Sequence, residues 1–67
     1  MDNKKVCEFQ AIDYFGELIN LTLYENDLPF YSDLVLRDEY NKYLLDRCIS
    51  YCNTHKMIFV SMAIIAE

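Results

Sequence analysis

Three cysteines and one histidine are the side chains here whose types and spacing could do chemistry. Cys48, Cys52 and His55 stand at i, i+4 and i+7, so a helix reaching position 55 would aim all three to one side. With Cys7 they make a Cys3His set, the donor inventory of a structural zinc site. The spacing is not that of a short zinc knuckle, however, and Cys48 and Cys52 also fit the apolar stripe of the same helix. A free cysteine packs as a small hydrophobe. The four are therefore read as core and helix-end residues: no metal and no cofactor is assigned, and Cys7, Cys48, Cys52 and His55 remain the weaker zinc candidates. His55 suits a helix C-terminus, where the dipole favours an imidazolium.

Nothing else in the chain resembles catalytic apparatus. A cysteine–histidine dyad would need an oxyanion-forming turn and a cleft, and the chain has one glycine and 67 residues. No phosphate-binding motif is present. The expectation is a protein that is not an enzyme.

Size and charge narrow the class further. At 8.0 kDa the chain makes one small domain, residues 1–67. Its formal charge is −5, and Lys4, Lys5, Arg37, Lys42, Arg47 and Lys56 do not cluster. Nucleic acid and anionic membrane both demand a cationic stripe, so neither is expected as a direct partner. The longest apolar run, Met57 to Ala66, is about half the length of a membrane-spanning helix. A polar start with no signal-like apolar stretch, and an odd number of cysteines, point to the cytoplasm and reduced thiols.

The elements that must position these residues can be read from periodicity. Cys7, Phe9 and Ala11 alternate with polar residues, and after Gly16 the alternation resumes with Ile19, Leu21 and Leu23. A three-residue loop, Tyr14-Phe15-Gly16, pairs Asp13 with Glu17, Ala11 with Ile19, Phe9 with Leu21 and Cys7 with Leu23. It also puts the sole glycine where a left-handed residue is needed. Asn26-Asp27 reads as a second turn, leading to an edge strand from about Leu28 to Ser32 that sets Phe30 opposite Leu23 and Tyr31 opposite Thr22. From Asp38 to Asn53 the period becomes helical, with Tyr40, Leu44, Cys48 and Tyr51 on one stripe, widened by Leu45, Ile49 and Cys52. Met57 to Ala66 then forms a last strand, expected to run parallel to its neighbour after a crossover. The fold class is α+β: a three-stranded antiparallel meander, a helix on one face and a C-terminal strand, in the order β-β-β-α-β.

One helix covers one sheet face, which leaves Val6, Ile12, Leu18, Tyr24, Tyr31 and Val35 on the other. The last strand is apolar in both phases, Met57, Phe59, Ala63 and Ile65 against Ile58, Val60, Met62 and Ile64. Two-sided apolar strands belong inside layered structures, and a chain this short has no second layer to offer. An interaction surface follows. Ile58, Val60, Met62 and Ile64 are the candidates for self-association, most simply as a homodimer. Between Lys5 and Arg37 there is no basic residue but many acidic ones. Glu8, Asp13, Glu17, Glu25 and Asp27, with Tyr14, Tyr24 and Tyr31, therefore make a candidate contact set for a protein partner with a basic surface. The leading expectation is a small acidic protein-binding module acting as an inhibitor or regulator, a format common among phage and mobile-element proteins that block host or defence proteins. The alternatives are a structural homo-oligomer that consumes its open face in self-assembly, and a zinc-stapled regulatory domain.

Overall fold

The structure is a computed structural model that describes residues 4–25 and 37–65. The alternating segment folds into the expected hairpin, β1 (Lys5–Ile12) against β2 (Leu18–Tyr24). Its register is the one that alternation and turn chemistry both require: Ala11 faces Ile19, Phe9 faces Leu21 and Cys7 faces Leu23. The loop closes through Asp13, whose backbone N–H donates to the Glu17 carbonyl at 2.8 Å while its own carbonyl accepts from Gly16 N–H at 3.0 Å. Gly16 has φ 83°, the left-handed conformation that a side chain would strain.

The helix α1 (Arg37–Thr54) matches the periodic segment within a residue at each end. It contains no glycine or proline, and Asp38 and Glu39 occupy its first turn, at the positive end of the dipole. It stops in a Schellman arrangement. Met57 N–H donates to the Cys52 carbonyl at 2.8 Å, and Lys56 N–H reaches back to the Asn53 carbonyl at 3.4 Å. Lys56 itself sits at φ 58°, a position usually given to glycine. Lys56→Gly should therefore raise stability by about 0.5–1 kcal/mol, the left-handed strain removed outweighing the entropy added to the unfolded chain. Urea unfolding would show a later midpoint; an earlier one would mean that the lysine charge at the helix end matters more.

The C-terminal strand, β3 (Ile58–Ile64), joins the sheet on the far side of β1, so the strand order is β2-β1-β3. This corrects the expected β-β-β-α-β order to β-β-α-β: the described residues hold two strands before the helix, not three. The segment read as the meander's third strand, Leu28 to Ser32 with its Leu23–Phe30 and Thr22–Tyr31 pairings, lies outside the described residues. It also corrects the expected direction, because β3 is antiparallel to its neighbour β1. Among the described strands β2 and β3 run parallel to one another, with β1 between them.

The apolar character of β3 in both phases has a local cause. Gln10 pairs with Ser61 while Ala11 pairs with Phe59, so Val60 is an extra residue, a β-bulge. Before the bulge the odd-numbered side chains share the inner face with β1; after it the even-numbered ones do. Phe59, Met62 and Ile64 thus stand beside Ala11, Phe9 and Cys7, whereas Ile58, Ser61 and Ala63 share the outer face with Ile12, Gln10 and Glu8. The apparent need for layers on both sides of the strand is in good part a change of phase.

The core lies between the inner face and α1. Cys7, Phe9 and Ala11 from β1, Leu23 from β2 and Cys48 and Cys52 from α1 are buried, with Ile19, Leu21, Met57, Phe59 and Met62 packed around them. Leu44 is fully buried one turn before Cys48. Tyr51, expected in the core, is 39% exposed and meets Phe9 edge-on with ring centroids 5.9 Å apart. The sealed seam runs along positions 44, 48 and 52, which leaves Tyr51 at its margin.

Candidate functional site

The outer face is not uniformly apolar. Its middle row is polar and tied across all three strands: Gln10 Nε2 donates to Asn20 Oδ1 at 3.1 Å, and Ser61 Oγ donates to Gln10 Oε1 at 3.3 Å. The next row toward the chain termini holds Thr22, Glu8 and Ala63. The row nearest the hairpin loop is Leu18, Ile12 and Ile58. Leu18 is 56% exposed and Ile58 68%.

Beyond that row the loop carries two aromatic rings into solvent, Tyr14 at 78% and Phe15 at 84% exposure. They meet edge-on, 5.5 Å between centroids, so each restricts the other. The backbone beneath them is held by the Asp13 carboxylate, whose Oδ1 accepts from both Phe15 N–H and Glu17 N–H at 2.9 Å. Exposed aliphatic and aromatic groups gathered at one end of the sheet, on a loop braced by four hydrogen bonds, form the most pronounced apolar feature of the described surface.

The residues expected to bind a partner do not form one patch. Tyr14 and Glu17 are exposed at the loop, where Asp13 is present but its carboxylate is committed to the turn. Tyr24 and Glu25 are at the other end of β2, about 20 Å away at the rise of an extended strand, with Glu25 N–H bonded to the Lys4 carbonyl. Glu8 is exposed on the outer face between them. Asp27 and Tyr31 lie outside the described residues, as does Val35. Of the self-association set, Ile58, Val60 and Ile64 are exposed, although Ile64 shares the inward phase of Met62, which packs against the core. The bulge divides them.

The Cys3His set separates as well. Cys7, Cys48 and Cys52 are buried, and Cys7 Sγ lies 3.9 Å from Cys48 Sγ. His55 is exposed just past the helix, its ring against Tyr51 at 4.1 Å. Among the described residues no three His, Cys, Asp or Glu side chains gather as a metal site would require. Desolvation raises the pKa of all three thiols, that of Cys48 from 9.0 to about 12, with the neighbouring Cys7 adding to the rise. In the closed fold they are protonated packing groups at ordinary pH.

An open groove of about 390 Å³ runs between β2 and α1, lined by Phe9, Leu21, Thr22, Leu23, Tyr24, Arg47 and Tyr51. No carboxylate, thiol or imidazole lines it among the described residues. No helix among them is long and apolar enough to cross a membrane.

No family model, no curated protein and no solved structure matches this chain.

Proposed function

We propose that this chain is a small, acidic, non-catalytic protein-binding module that acts as an inhibitor or regulator by occupying a partner's surface. The observation that carries the reading is the braced hairpin loop, where Tyr14, Phe15, Leu18 and Ile58 are all largely exposed at one end of the sheet. Such groups cost solubility when left in water, and aromatic side chains on a rigid loop are the usual anchors of protein interfaces. Exposed Glu17 beside them favours a partner whose apolar pocket has a basic rim. The size and the charge of −5 fit the format of phage and mobile-element proteins that block a host or defence protein. In this reading the chain works in the cytoplasm as a homodimer. Ile58 and Val60, exposed on a strand that carries no charged residue, are the groups by which copies would associate.

The test is affinity capture from host lysate with wild-type, Phe15→Ser and Glu17→Lys baits, each confirmed folded by circular dichroism. A partner held by the wild type should bind Phe15→Ser at least about thirtyfold more weakly, the equivalent of a hot-spot loss of about 2 kcal/mol. Glu17→Lys should weaken it less and chiefly at low salt. A partner that binds all three baits equally would remove the loop from the interface. Light scattering on the purified chain counts the copies, and a strict monomer at high concentration rejects the homodimer.

A further inference from the structure

The core of this domain is unusual in what seals it. Among the described residues the four largest fully buried side chains are Leu44, Cys7, Cys48 and Cys52, so three of the four are thiols on the seam between helix and sheet. Two of those thiols touch: Cys7 Sγ on the central strand and Cys48 Sγ on the helix are 3.9 Å apart, and 41 positions separate them in the chain. We propose that Cys7 and Cys48 form a redox-dependent staple, a disulfide that fastens α1 to β1 when the chain meets a low-molecular-weight disulfide oxidant. A disulfide needs about 2.05 Å between sulfurs, so each must move by roughly 1 Å on closure. This inference stands independently of the binding function.

The chemistry balances as two successive exchanges. One protein thiol gives up its proton, and its sulfur attacks a small disulfide, releasing one small thiol and leaving a mixed disulfide. The second protein thiol loses its proton and displaces the remaining small thiol. The protein ends two hydrogens lighter, and the small disulfide is reduced to two thiols. Both sulfurs are sealed from solvent, so exchange waits on local opening of helix from sheet. The stabilisation on closure is large because the bond joins distant parts of a chain too short for a large core, the situation in which staples contribute most.

Equilibrating the full chain with oxidised and reduced glutathione, then mapping peptides without reduction, is the deciding experiment. The native chain should lose two hydrogens and yield a peptide containing Cys7 joined to one containing Cys48. The same treatment in denaturing urea should instead favour Cys48–Cys52, because the shorter loop costs less entropy to close. The thermal midpoint of the oxidised protein should rise by at least about 10 °C. Cys52→Ala should keep both the link and the rise, and Cys48→Ala should lose both. A native chain that keeps three free thiols, or that joins Cys48 to Cys52 under native conditions, overturns the staple. Both of those outcomes are read on wild-type protein, so neither depends on a variant folding.

Discussion

Leu44→Ala should remove about 3 kcal/mol of stability, a large loss for a single substitution in a domain of this size. Leu44 is fully buried, one turn before Cys48 on the face of α1 that meets the sheet. Alanine keeps the helix propensity, so the loss isolates the transfer energy of the missing carbons and the cavity they leave. A chain of 67 residues is expected to have a total stability of only about 3–10 kcal/mol. The substitution should therefore consume much of it and populate unfolded chain at 37 °C. Urea unfolding at 25 °C is the measurement, with the midpoint falling steeply and the slope nearly unchanged. Leu45→Ala, at a half-buried neighbour on the same helix, should cost distinctly less. Equal losses at the two positions would mean that the sealed seam does not lie along 44, 48 and 52.

The contrast between the hairpin and β3 shows what kind of structural information a sequence of this size carries. The hairpin register is legible because two independent constraints agree: strict alternation of burial and one glycine at the only loop position that needs positive φ. Each constraint points to the same register, and the observed pairing follows it. In β3 no such agreement exists. Every position from Ile58 to Ile64 except Ser61 is apolar, so alternation carries no phase, and inserting one residue at Val60 goes unmarked in the side-chain pattern. A bulge is selected by pairing to β1, a non-local fact. The direction of β3 escapes the sequence for a related reason: which strand it joins is itself a non-local fact, and it lies beside β1 and antiparallel to it.

The candidate site divides in the same way. Residue type alone points to Asp13, Tyr14 and Glu17, but it leaves Phe15 as an ordinary loop residue. The signal for Phe15 is nonetheless present. Once the register sets the loop at three residues, two adjacent aromatics within it have no core within reach and must point into water. Acidity assigns Asp13 to a partner, whereas its carboxylate satisfies two loop N–H groups. Spacing weighs the thiols between zinc and core packing, and it cannot show that Cys7 and Cys48 meet while His55 turns to Tyr51. Contacts between distant segments decide all of these, and periodicity constrains only the near ones.

Raising the pH should unfold this protein, and the buried thiols should set the window. Below about pH 9 a thiol is protonated in both the folded and the unfolded chain and contributes no pH dependence. Above it the unfolded chain releases the proton, whereas Cys48 holds its own to about 12 because burial and the adjacent Cys7 penalise the thiolate. The unfolded state then binds fewer protons than the folded one, so stability falls as pH rises. While the folded Cys48 thiol keeps its proton and the unfolded one does not, each pH unit lowers the folding equilibrium constant by up to about tenfold. Cys7 and Cys52 are shifted in the same direction and steepen the fall. Urea midpoints measured between pH 8 and 11 would show the decline, and Cys48→Ala should be less stable at pH 8 but visibly flatter above pH 9. A thiol-reactive chromogenic disulfide supplies the second readout: at pH 8 all three thiols should react no faster than the seam opens. Immediate reaction of Cys48 in the folded chain, or a stability indifferent to pH up to 11, would mean that its sulfur is not sealed between helix and sheet.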